Sequence, residues 1–121
     1  MVEEIAMDSF KELAGQIIKF RDARDWKQFH NPKDCALSLS LEAGEVMEHF
    51  QWKNTKEIQK HIEEHREEIG DELADVLYWV ILMSHDMDID ILEAVKRKMK
   101  KNEEKYPEDK AKGKHTKYTE L

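Results

Sequence analysis

Four glycines and two prolines in 121 residues leave little of the punctuation that a strand-rich fold needs at its turns. Glu, Lys, Leu, Met and Ala, all strong helix formers, dominate instead, so the composition predicts an all-α fold. A single cysteine, Cys35, excludes an intrachain disulfide framework and suits a reducing cytoplasm. The start, MVEEIAMDSF, lacks the basic and long apolar regions of a secretory signal. The apolar run VLYWVILM, residues 76–83, is far too short to span a bilayer, and no membrane partner is expected. Basic charge is scarce over most of the length: residues 1–95 carry 10 Lys/Arg against 22 Asp/Glu, and only residues 96–118 reverse the balance, with 10 basic and 4 acidic residues. These lysines are interleaved with Glu103, Glu104, Glu108 and Asp109, lack aromatic platforms among them, and belong to a chain of net charge −7. Genomic nucleic acid is therefore disfavoured as a partner.

The length fits one domain, residues 1–121, that buries roughly two-thirds of the surface its unfolded chain exposes. Helix signals divide it. Ser9 with Glu12 reads as a capping box opening a first helix that presents Phe10, Leu13, Ile17 and Phe20 on one side and ends near Trp26. Asn31 and Pro32 read as the N-cap and first residue of a second helix running to about Trp52, with a break at Lys53 to Thr55. A third helical region, from about Lys56 to His85, is polar and solvated in its first half and apolar in its second, and Gly70 marks the expected bend. Asp90 with Glu93 caps a fourth helix, Ile91 to Lys105, stopped before Pro107, and residues 107–121 read as an exposed tail. The expected architecture is thus like a four-helix bundle. Because VLYWVILM covers every face of a helix, a subunit interface is its natural cover, and a homo-oligomer is expected.

Two pairs of acids stand out against this pattern: Glu42 with Glu45, and Glu72 with Asp75. Each pair is spaced i, i+3, so its members share a helix face, and each sits among Leu, Val, Ala and Met. Acids at this spacing are common on solvated faces, and Glu63 with Glu67 and Glu64 with Glu68 read that way. Four inward-pointing carboxylates would lose hydration and repel one another, which calls for a cation. All-oxygen ligation favours a hard ion, Mg²⁺ or Mn²⁺ in its place. A rival motif, His61, Glu64 and His65 as H-x-x-E-H, has the form of a zinc site of inverted zincins but lies in polar surroundings with no distant third ligand, and reads as a solvated face. Di-iron ligation of the ferritin-like kind needs Glu-x-x-His, which the sequence does not contain.

At these same residues the chain resembles a known family. LSLEAGEVMEHFQW followed by DELADVLYWV is similar to the E-x-x-E, spacer, E-x-x-D signature of the MazG type of all-α nucleotide pyrophosphohydrolases. RDWKQFHNPKD upstream, KMKKN and KYP downstream and the terminal KYTEL resemble its short dCTP pyrophosphatase branch, so the likeness runs over about residues 17–121. The resemblance implies hydrolysis of a nucleoside triphosphate between its α and β phosphorus atoms, with dCTP or a related deoxynucleotide as substrate. It makes Glu42, Glu45, Glu72 and Asp75 the Mg²⁺ ligands and catalytic carboxylates. It further implies that Lys98 and Asn102 approach phosphate and that Trp26, Phe29, His30 and Trp52 form the base pocket. Dimers or tetramers are implied as well, with the tetramer favoured here. Ile17 and the charge-rich spacer depart from the pattern, which leaves base choice open. The contrasting possibility is an acidic helical module whose outward carboxylates bind a basic partner.

Overall fold

The computed structural model describes the backbone of residues 2–121 and the side chains of residues 9–121. Met1 and the side chains of residues 2–8, part of the segment read above for a secretory signal, lie outside the described residues. All regular structure among the described residues is helical: α1 (Val2–Ala23), α2 (Pro32–Glu48), α3 (Thr55–Asp86), α4 (Ile91–Lys105) and the short α5 (Glu108–Ala111), with 3₁₀ turns at Lys27–Phe29 and Tyr118–Glu120. Where the sequence reading takes one domain, the chain groups into two compact units, Met1–Met87 and Asp88–Leu121.

In the first unit α3 is the shared partner, packing against both α2 and α1. Helix starts follow local chemistry. Asn31 accepts from the Asp34 amide at 2.8 Å, and Pro32, which has no N–H to orphan, takes the first position of α2. Asn54 and Glu57 cap α3 reciprocally, the Asn54 side chain accepting from the Glu57 amide at 2.9 Å and Glu57 accepting from the Asn54 amide at 3.2 Å. Three boundary expectations are corrected. Ser9 lies inside α1, because the preceding VEEIAM continues the helix with good formers and places glutamates in its first turn. The second helix stops at Glu48, short of Trp52, which adopts a left-handed backbone at φ 67°. The bend in α3 falls at His65 (φ −127°, ψ 27°) and not at Gly70, so the disturbance follows a ring that stacks on His61 and reaches Glu68.

The interior of this unit is small. Among the described residues its buried apolar side chains are Cys35, Ile81 and Leu82, from α2 and the apolar half of α3. Arg21, near the end of α1, is buried with them at 0% exposure. Its guanidinium grips Asp86 through both oxygens, Nη1 to Oδ2 at 2.5 Å and Nη2 to Oδ1 at 2.9 Å, while Nε donates to Asp22 at 3.1 Å. The fork ties the end of α1 to the end of α3 with a planar geometry that lysine cannot reproduce.

In the second unit, Asp90 caps α4 by accepting from the Glu93 amide at 3.1 Å, as the sequence indicates. The segment expected as an exposed tail is partly folded. α5 follows Pro107, the rings of Tyr106 and Tyr118 meet edge to face with 6.0 Å between centroids, and the Lys105 ammonium lies 4.8 Å over Tyr118.

Arg21→Ala is expected to lower unfolding stability by about 3 kcal/mol in urea titrations, because Asp86 is left as a half-buried charge without its partner. Burial alone would raise the Asp86 carboxyl, but the Arg21 hydrogen bonds and charge outweigh it, helped by Lys27 and His85, and hold the group below the usual carboxylate range. A depressed folded value stabilises above the unfolded pKa of about 3.9 and is lost as pH falls through the folded value. Acid titration of wild type should show that loss, and Arg21→Ala should flatten it.

Candidate active site

The first unit contains a cavity of about 670 Å³, a size suited to a small organic ligand. Each neighbouring element supplies one wall. Leu13, Gln16, Ile17 and Phe20 come from one stripe of α1, Trp26 and His30 from the turn after it, Glu42 from α2, and Asp75, Tyr78 and Trp79 from α3. Aromatic rings brace one another around it: Phe20 meets Trp26 at 5.8 Å and Tyr78 at 6.5 Å, Tyr78 meets Trp79 at 5.4 Å, and His30 meets Trp79 at 5.1 Å, all edge to face. Charge therefore sits at one side of an otherwise apolar chamber.

Glu42 of α2 and Asp75 of α3 line that side, and Glu45 and Glu72 lie near enough for their charges to act on Glu42. Glu42 is held above the ordinary carboxylate range, by burial first, then by the adjoining Glu45 carboxyl, with the charges of Asp75 and Glu72 adding to it. Buried oxygens of both Glu42 and Glu72, Oε2 in each, have no aligned hydrogen-bond donor. Glu72 Oε2 instead touches His49 Nε2 as an ion-pair contact. Glu45 and Asp75 are more exposed, and among the described residues no three acids or histidines close around one point. This open arrangement suits Mg²⁺, which keeps several waters and is usually held by one or two carboxylates together with phosphate oxygens. The unbonded buried oxygen of Glu42 fits such a cation.

The residues read as a base pocket separate into two groups. Trp26 and His30 line the cavity, whereas Phe29 is exposed outside it and Trp52, beyond the end of α2, is 92% exposed. His30 Nδ1 is buried without a partner, and burial, with the charge of Arg21, holds the ring below the usual histidine range. Lys98 and Asn102 belong to α4 in the second unit, Lys98 exposed and Asn102 half-buried.

Two contributions escaped the sequence reading. Tyr78 and Trp79 follow Asp75 by three and four residues, a spacing that places them beside it on α3, yet they read as interface. His61 and His65 were expected on a solvated face, but both are half-buried: His61 Nε2 lies 2.7 Å from His49 Nδ1, and the two α3 rings stack at 4.4 Å. The signal was a stripe, 61, 65, 68, 72 and 75, that runs straight into the acidic positions.

Comparison with known proteins is decisive for kinship. The MazG-like family matches residues 37–121, more than half of the chain. The chain belongs to the MazG-like family. Among individual relatives it is 37% identical over 105 residues to mouse (Mus musculus) dCTP pyrophosphatase 1, covering 85% of this chain and 62% of that protein. It is 38% identical over 105 residues to dCTP pyrophosphatase 1 of Homo sapiens, with the same coverage. The chain thus spans 62% of the length of these curated relatives. A crystal structure of a pyrophosphatase from Archaeoglobus fulgidus superposes with a TM-score of 0.78 at 41% identity, covering 82% of this chain and 93% of that one. The matched region of the MazG-like family includes all four acids.

Neutralising Glu45 or Asp75 is expected to leave the helical fold intact and to raise the thermal midpoint of the metal-free protein, since each adds to the repulsion on Glu42. A carboxyl whose folded pKa is raised costs stability above that value and restores it as pH falls toward the unfolded pKa of about 4.3. Glu45→Gln should accordingly weaken the stabilisation that mild acid gives, which thermal melts across that range would measure.

Proposed function

We propose that this protein is a Mg²⁺-dependent nucleoside triphosphate pyrophosphatase of the reducing cytoplasm. Its reaction would cleave dCTP or a related deoxynucleotide between the α and β phosphorus atoms, releasing the monophosphate and pyrophosphate. The observation that carries this reading is the convergence of acids from α2 and α3 at the edge of an aromatic-walled cavity large enough for a nucleoside. Names of the relatives at 37–38% identity support the choice of dCTP. An outward-facing acidic module is disfavoured, because Glu42 buries an unbonded oxygen and Glu72 is half-buried against His49.

Glu42, Glu45, Glu72 and Asp75 would hold the cation. When bound, Mg²⁺ polarises a phosphoryl oxygen and lowers the pKa of an attacking water. The chain supplies the rest. Trp26, Tyr78 and Trp79 offer flat faces against a base, and His30 adds a ring to the same wall. A carboxylate of the acidic set accepts the proton of the water. Lys98 and Asn102 keep, as a proposal from the sequence resemblance alone, their role toward phosphate.

A homo-oligomer, tetramer rather than dimer, belongs to the same proposal. Leu37, Leu41, Leu73 and Leu77 of α2 and α3 are all exposed, Leu41 at 71%, beside an interior with few buried apolar side chains. Association would cover that apolar surface and could bring Trp52 or Phe29 of one subunit to a neighbour's cavity.

The test is release of pyrophosphate, separated from phosphate, from common and 5-modified NTPs and dNTPs with Mg²⁺ or Mn²⁺. Activity with pyrophosphate as product and preference for dCTP is expected; phosphate release or no turnover on any nucleotide would refute the reading. Glu45→Gln and Asp75→Asn should each abolish turnover. Stacking contributes about 1–3 kcal/mol per base, so Trp26→Ala should raise KM about tenfold or more while Mg²⁺ binding persists. Leu41→Glu should dissociate the oligomer in light scattering.

A further inference from the structure

His49, His61, His65 and Glu68 form a connected cluster with no part in the reading above. They line up behind one carboxylate. We propose that His49, itself fixed by His61, is a positioning residue that donates a hydrogen bond to Glu72 and holds that carboxylate in the orientation the acidic site uses. The inference rests on the metal-site reading of Glu72 and assigns it a support that the family signature does not contain.

The proposed hydrogen bond sets where the hydrogens go. An ionised carboxylate only accepts, so the His49 Nε2 in contact with Glu72 Oε2 must carry the hydrogen. In this proposal the His49 lone pair lies on Nδ1, which faces His61 Nε2 at 2.7 Å. Two lone pairs at that separation would repel, so His61 donates from Nε2. His61 is steadied in turn. Its ring stacks on His65 with a 27° tilt, and His65 Nδ1 lies 3.0 Å from Glu68 Oε2. Residues 61, 65, 68 and 72 fall on one stripe of α3, so the helix itself delivers this series to the site.

The need for such a support follows from the acids. Glu72 adds to the repulsion felt by Glu42, and without a donor its carboxylate is free to swing toward water. Carboxylates that bind cations are commonly held by an outer hydrogen bond, and losing that bond weakens metal affinity or activity about 10–100-fold.

Long-range ¹H–¹⁵N NMR of the metal-free wild type reads the hydrogens directly. The expected result is Nε2–H with a bare Nδ1 on His49 and Nε2–H on His61; a hydrogen on His49 Nδ1 with a bare Nε2 would overturn the proposal. Calorimetric Mg²⁺ titration supplies the second readout. His49→Leu, confirmed as folded by circular dichroism, should bind Mg²⁺ about tenfold or more weakly. His49→Gln, whose amide donates from near the place of Nε2, should recover most of that loss. Wild-type affinity in His49→Leu, or no recovery in His49→Gln, would assign these rings to packing alone and overturn the proposal. Loss of pyrophosphate release in wild type with Mg²⁺ binding and the tautomers intact would sink the pyrophosphatase reading and leave the positioning role standing.

Discussion

A guanidinium removed from solvent and gripped by both oxygens of Asp86 sets the geometry on which the first unit depends. Among the described residues the wholly buried apolar side chains come from α2 and α3, and Arg21 is what α1 buries beside them. The fork is directional where hydrophobic contact is not, and it fixes the end of α1 relative to α3 in both distance and rotation. That rotation turns the stripe from Leu13 to Phe20 toward Asp75, Tyr78 and Trp79, so the cavity exists between two helices joined at one end. The same charge reaches His30 and, after burial, helps hold its pKa below the usual histidine range.

Against this stands a deliberate source of instability. Acids gathered on α2 and α3 oppose folding of the metal-free chain, and Glu42 registers the opposition in its raised pKa. A protein selected for stability alone would place leucines there. Repulsion of this kind is tolerable because the sites are only part-buried, Glu45 and Asp75 keeping contact with water. It also leaves the set open to solvent, as the proposed sharing of a cation with a phosphate requires.

Much of this was legible in the sequence. Asn31–Pro32 and Asp90 with Glu93 announced two helix starts because capping chemistry is local, and the acids were conspicuous because charge inside an apolar stretch has few bland explanations. Ser9 misled for the same local reason: a capping sequence acts only where the helix has nothing to continue into, and VEEIAM provides a continuation. Gly70 misled because glycine is tolerated inside a long helix held by its neighbours. The histidines were obscured by averaging, since KEIQKHIEEHREE is polar as a whole while one of its faces turns inward. Trp26 and His30 share a chamber, but Phe29 and Trp52 stand outside it, a distinction that depends on side-chain direction and not on proximity in sequence.

Trp52 combines two features that folding does not favour. Its backbone is left-handed, a region that costs a side chain about 1 kcal/mol and costs glycine nothing, and its indole, at 92% exposure, recovers almost no burial in return. Within a single chain, glycine would be the better residue. Laboratory evolution for thermal resistance alone would therefore erase this indole among its first substitutions, while selection for whatever the ring contacts would retain it; the residue that survives at position 52 reports which pressure was applied.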